Sequence, residues 1–160
     1  LRDCTVVRRD AAAAAAHVDA TSRRVRRGGV PPWLGGCPEG PRSSPAKVEA
    51  SQAFAEGRDL PRLEHVLLPR TKGFTATVAG LRSHLDAVYD VTIAYEEYVP
   101  TLWQYVKGLA PVAHLHVHRA TPRELPEDDE ALARWLVDRF REKDRLLKRF
   151  YETGSFEGEA

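Results

Sequence analysis

Two short stretches of this chain place cations beside a turn in the way that phosphate recognition requires. The first is Leu67-Leu68-Pro69-Arg70-Thr71-Lys72-Gly73-Phe74, an apolar run, a proline stop and then a predicted helix start at Gly73. Arg70 can grip a phosphate through two parallel hydrogen bonds, Lys72 adds a point charge, and a helix start adds backbone N–H donors. The same residues also make an ordinary solvated turn with two cations, and spacing alone leaves both readings open. The second stretch is Pro38-Glu39-Gly40-Pro41-Arg42. Its Arg42 can face a phosphate while Glu39 orients it, although Gly and Pro favour a turn there in any case. A third constellation is His114, His116 and His118, which share one face of a strand at about 7 Å spacing. Such histidines can ligate zinc. With no Asp, Glu or Cys beside them in sequence, a half-buried polar strand face is the preferred reading. Nucleophile elbows, P-loops and dinucleotide fingerprints are absent.

The elements that must position these residues can be read from periodicity. Pro31 to Leu34 can lead into a short strand, and a Gly/Pro-rich loop follows to Pro41. Ser44 before Pro45 predicts a helix start, with the helix running to about residue 56 and stopped by Gly57. An apolar strand is predicted over 65–68, closed by Pro69, then a helix over 73–84 with Phe74, Val78 and Leu81 on one side. Residues 87–95 and 112–118 are β-branched, aromatic or alternating, and predict two strands. The stretch 101–109 is ambiguous. A long helix over 127–152 opens on Glu127, Asp128 and Asp129, and carries Leu132, Trp135, Leu136, Phe140, Leu147 and Phe150 as its apolar stripe. Alternating helices and strands predict an α/β layer with a small, mixed, partly parallel sheet.

Length fits one domain able to bury a normal core, and a net charge of +1 argues against a broadly basic nucleic-acid binder. Cys4 and Cys37 make neither a disulfide framework nor a zinc site. No apolar run is long enough to cross a bilayer. Residues 1–30 hold Ala11 to Ala16 and Arg23-Arg24-Val25-Arg26-Arg27 with almost no large apolar side chain. They predict a low-complexity, disordered segment apart from a short alanine helix, with a transit peptide or a basic arm as functional readings. The domain is expected over 31–160. Met is 0 and the chain begins with Leu1, which predicts a fragment or a processed product.

Taken in order, Leu67 to Phe74, Val88-Tyr89-Asp90-Val91-Thr92, Val117-His118, Trp135 and Glu142-Lys143-Asp144 resemble the 1-acyl-sn-glycerol-3-phosphate (lysophosphatidic acid) acyltransferases. The Leu-His-Val-His strand is most similar to the plant-like endomembrane branch. The resemblance implies the C-terminal part of a glycerolphosphate-acyltransferase-type domain. It implies transfer of an acyl group from acyl-CoA, as co-substrate, to lysophosphatidic acid, giving phosphatidic acid in phospholipid biosynthesis. It further implies no metal, cofactor or nucleic-acid partner, a membrane surface as partner of the full-length proteins, and an endoplasmic reticulum membrane location.

The family's Glu-Gly-Thr-Arg motif, which helps hold the glycerol phosphate, is matched here by Glu39, Gly40 and Arg42, with Pro41 replacing the Thr. That exchange removes a hydroxyl and a backbone donor. With Arg70 and Lys72, these residues form the expected substrate-binding set. The family's His-x4-Asp motif supplies a general base held in one tautomer by a carboxylate. No histidine of this chain has Asp five places on, so the resemblance implies no catalytic residue here. A chain inactive on its own is therefore expected, with a non-catalytic domain binding anionic lipid or a partner as the alternative.

Overall fold

The computed structural model describes residues 33–40 and 43–157, so the predictions for residues 1–30, for Pro31 and Pro32, and for Pro41 and Arg42 lie outside the described residues. Among the described residues, four α-helices and a two-stranded sheet form a mixed α/β layer. Helix α1 (Pro45–Ala55) begins after Ser44, with proline in the first turn as read from the sequence, and the chain leaves it at Gly57 with φ 73°.

The apolar run predicted as a strand over 65–68 is not one. Its backbone donors are taken by side chains instead of a neighbouring strand. The N–H groups of Glu64, His65 and Val66 donate to Asp144 Oδ1 at 2.9, 2.6 and 3.3 Å, and Leu68 N donates to Ser51 Oγ at 3.0 Å. Gln52 Nε2 donates to the Leu63 carbonyl at 2.7 Å. With its polar groups met in this way, the segment buries Leu63, Val66 and Leu67 while staying irregular.

Helix α2 (Thr71–Leu81) starts two residues before the sequence suggests and ends in a 3-10 turn, Arg82–His84. Val78 and Leu81 are buried. The Arg82 guanidinium donates to the carbonyls of Pro122, Leu125 and Pro126, and so fixes the approach to the last helix.

Strands β1 (Val88–Tyr95) and β2 (Ala113–Ala120) pair antiparallel, from Val88 opposite Ala120 to Tyr95 opposite Ala113. The partly parallel sheet read from alternating elements is corrected to an antiparallel pair. Between the strands lies only α3 (Leu102–Val106), five residues long. The chain re-enters from the end at which it left, where Glu96 N donates to the Val112 carbonyl at 3.2 Å and continues the antiparallel ladder past the strand ends.

Helix α4 (Asp129–Thr153) covers the inner face of the pair. Asp128 caps it by accepting from Ala131 N at 2.8 Å, and Gly154 closes it at φ 78°, donating to the Phe150 carbonyl. Leu136, Phe140, Leu147 and Phe150 pack with Leu63, Val66 and Ala94, while Leu132 packs with Val78, Ala120 and Leu125. Phe74 and Trp135, stacked at 5.8 Å, touch both groups and join them. The outer sheet face, with Tyr89, Val91, Ile93, Leu115 and Val117, is exposed.

Candidate functional site

The two cation-bearing stretches meet. Residues 37–40 form a turn closed by Gly40 N donating to the Cys37 carbonyl at 2.9 Å. Arg70 N donates to the Pro38 carbonyl, also at 2.9 Å, which fastens the turn to the start of α2. Gly40 has φ +82°, a left-handed conformation that side chains resist. A Cβ there would stand 3.8 Å from Arg70 Nε and 3.9 Å from Cζ, so the guanidinium lies along the Gly40 backbone.

Arg70 is the residue that precedes the first turn of α2, and Lys72 lies within that turn, not before it. No side chain caps this helix start and no acid lies in its first turn. Its leading N–H groups therefore stay available to an anion beside two exposed cations. Arg42 lies outside the described residues, so of the expected set the structure brings Gly40 and Arg70 together, with Lys72 in the first turn of α2 and Glu39, whose carboxyl feels the charge of Lys143, next to Gly40 in the turn.

Glu39 is half-buried beneath this surface. Burial pushes its carboxyl above the ordinary 4.5, and the positive charge of Lys143 pulls it part of the way back. A carboxyl that holds its proton more tightly when folded favours the folded state below its unfolded value, and loses that contribution as pH rises through its folded value. Glu39→Gln is therefore expected to be more stable than the parent at neutral pH, with no gain below 4.5. Thermal melts on both sides of that pH check it.

The sequence reading assigned no role to Lys143 and Asp90, which sit behind the turn. Asp90 Oδ1 meets Lys143 Nζ at 2.5 Å and Asp90 Oδ2 meets Arg139 Nε at 3.0 Å. Lys143 also donates to the Val91 carbonyl at 2.7 Å. All three charged side chains are more than four-fifths buried. Their signal in the sequence was an acid inside an apolar strand and a lysine inside a helix stripe, each unusual for its place.

The histidine face is the half-buried polar face expected. His114 Nε2 lies 2.8 Å from Glu96 Oε1, a carboxylate beyond the end of the neighbouring strand, and its ring packs on Phe150 at 4.9 Å. His116 packs on Phe156, and its Nδ1 is buried without a hydrogen-bond partner. Among the described residues no three His, Cys, Asp or Glu side chains come together as a metal site would require.

Residues 104–160 match the family described as Acyltransferase C-terminus. A probable 1-acyl-sn-glycerol-3-phosphate acyltransferase 5 of Arabidopsis thaliana is 41% identical over 128 residues, which is 79% of this chain and 34% of the plant protein. The epsilon enzyme of Mus musculus is 39% identical over 137 residues, 78% of this chain and 38% of its own. The delta enzyme of Homo sapiens is 42% identical over 119 residues, 74% of this chain and 32% of its own. The chain thus spans about a third of the length of the curated relatives it matches. No solved structure matches it. Through this shared sequence, plant and mammalian, the chain belongs to the 1-acyl-sn-glycerol-3-phosphate acyltransferase family.

Proposed function

We propose that the 37–40 turn, Arg70 and the first turn of α2 hold the phosphate of lysophosphatidic acid in an acyltransferase domain. The reaction moves an acyl group from acyl-CoA to the free hydroxyl and yields phosphatidic acid for phospholipid biosynthesis. The observation that carries this reading is the Arg70 guanidinium lying along Gly40, with Arg70 N bonded to Pro38. Two family-like segments distant in sequence thereby meet at an uncapped helix start that carries Arg70 and Lys72. Arg42 joins them in this proposal, four residues on from Pro38.

In such a reaction a base takes the hydroxyl proton, the oxygen attacks the thioester carbonyl, and CoA leaves as the thiolate. The site residues supply the hold on the phosphate, which brings the hydroxyl to the thioester. They supply no base, because no histidine here has Asp five places on. Loss of general base catalysis alone costs about 10²–10⁴-fold in rate. The chain is thus expected to bind lysophosphatidic acid without turning it over, which also describes the second reading, a domain that binds anionic lipid without chemistry.

No helix among the described residues is long and apolar enough to cross a membrane. The location proposed is the endoplasmic reticulum membrane, where lysophosphatidic acid is acylated in the family. The test is calorimetric binding of a short-chain lysophosphatidic acid below its critical micelle concentration, with radiolabelled oleoyl-CoA added to follow turnover. Arg70→Ala is expected to weaken binding about ten- to a hundred-fold, the worth of a charged hydrogen bond. Binding unchanged by Arg70→Ala would overturn the phosphate site. Turnover at the rate of a full-length relative would overturn the inactive reading.

A further inference from the structure

We infer that the outer face of the strand pair is a docking surface for protein, and that its occupant is the part of a 1-acyl-sn-glycerol-3-phosphate acyltransferase that leads into the third matched by this chain. An antiparallel pair with one wet face turns its polar side chains to the water and its apolar ones to the core. This pair does the opposite. Alternation along the strands puts Asp90, Thr92, His114, His116 and His118 on the inner side, toward α4. It puts Tyr89, Val91, Ile93, Leu115 and Val117 on the outer side, 52, 43, 47, 61 and 53% exposed.

The register that produces this inversion is pinned from the inside. Asp90 is held by Lys143 and Arg139, and His114 by Glu96, so a one-residue slip that turned the apolar row inward would strand buried charges. On the outside, Val91 stands opposite Val117 and Ile93 opposite Leu115, so the exposed side chains make one contiguous patch. With α4 already on the inner face, a sheet whose outer row is this apolar is the middle of three layers, and the patch is where the third one seats.

The start of the described chain and the lengths of the relatives select the occupant. The Trp33 ring stacks on Tyr89 at 6.2 Å and 11°, which puts the first described residue on the outer face. The family match is to an acyltransferase C-terminus, and the chain spans about a third of its relatives, so a relative brings long preceding sequence to this same point. Charge argues against a second copy. The one charged side chain of the outer rows is Arg119, 6.0 Å over the Tyr89 ring, and two such faces laid together offer it no carboxylate. The face also borders the candidate site. From Trp33 the chain reaches Cys37, where the turn against Arg70 begins, in four residues, a span of at most about 14 Å. A layer docked here lies close to where the proposed reaction needs the base that this chain does not supply.

Family membership carries this occupant, and the phosphate reading of Arg70 is not needed for it. The full chain is co-expressed with the tagged preceding part of the Arabidopsis thaliana relative, and co-purification is quantified. Ile93→Lys/Leu115→Glu sets opposite charges directly across the strands, which a wet face accepts and a covered one does not. The double variant is expected to cut co-purification at least about a hundred-fold, because two ions would have to leave water. The urea midpoint of the chain alone is expected to stay nearly unchanged, since both side chains are exposed. Arg70→Ala is expected to co-purify as the parent does, which separates this docking from the phosphate site. A fusion in which the same preceding part runs directly into Trp33 decides the matter where nothing co-purifies. In it Tyr89 is expected to be protected from hydroxyl-radical oxidation, and the double variant to remove the protection. Co-purification of the double variant equal to the parent's, or a fusion whose Tyr89 oxidises as fast as in the chain alone, would overturn the inference. So would self-association of the chain that the double variant abolishes while Tyr89 stays unprotected in the fusion, which would give the face to a second copy.

Discussion

Asp90→Ala is expected to destabilise the chain by about 3–5 kcal/mol, the cost of breaking a buried ion pair from one side. Asp90 meets two cations at once, Lys143 through Oδ1 and Arg139 through Oδ2. Removing it leaves two positive charges facing each other in a space with little water. Lys143 keeps its bond to the Val91 carbonyl, which does not neutralise it. Arg139 keeps its longer reach toward solvent, so the greater part of the cost falls on Lys143, 10% exposed. Lys143→Met is expected to cost less, because Asp90 retains Arg139. The double variant Asp90→Ala/Lys143→Met is expected to recover part of the Asp90→Ala loss, and the difference measures the coupling. Urea denaturation of the four proteins at fixed pH gives all of these values. An Asp90→Ala cost under about 1 kcal/mol would mean that water reaches the pair and screens it as it does on a surface. The pair is no argument for exceptional stability, since well-packed apolar residues of equal volume often do as well. What it does is fix where β1 crosses α4, and with it the charge that Glu39 feels.

The long helix was legible because its signal is redundant. A capping Asp128, acids in the first turn, an apolar stripe and Gly154 all agree, and the helix falls within two residues of its predicted bounds. The two strands were legible for a similar reason, their alternation being reinforced by β-branched residues. Their relative direction was not, because direction depends on what the connection can span, and the stretch around Leu102 reads equally as helix or strand. The run around Val66 misled because apolar content reports burial, while a strand also needs a neighbour; here Asp144 and Ser51 take the neighbour's part. At the candidate site, the cations and the Gly40 turn could be named from residue type. Their contact is a tertiary fact, carried by one bond from Arg70 N to Pro38. Lys143 and Asp90 were each unusual for their place, but pairing a strand acid with a helix lysine requires knowing which faces meet. Helix α2 starting at Thr71 instead of Gly73 moves Lys72 into the first turn, so its own N–H joins the donors available to an anion.

Asp144→Ala tests how the scaffold reaches that site. One carboxylate oxygen, Oδ1, accepts from three successive backbone N–H groups, those of Glu64, His65 and Val66. The Glu64 donor is exposed and regains water when the carboxylate is gone, whereas the other two are partly buried and do not fully do so. Two stranded donors at about 1–3 kcal/mol each put the expected loss at about 3 kcal/mol. Asp144→Asn keeps an acceptor without the charge, and is expected to lose about half as much. The loss will not stay local. Leu63 and Val66 belong to the group packed on α4, and the same segment runs through Pro69 into Arg70. Loosening it frees amide exchange at residues 64–66 first, and weakens anion binding with it, because Arg70 no longer holds its place along Gly40. Arg70→Ala should do the reverse, lowering anion affinity with the 64–66 amides still protected. Hydrogen exchange followed residue by residue, beside calorimetric phosphate binding, distinguishes the two variants. Amides at 64–66 that exchange no faster in Asp144→Ala would mean that packing of Leu63 and Val66, not the carboxylate, holds the segment on which the cation site is built.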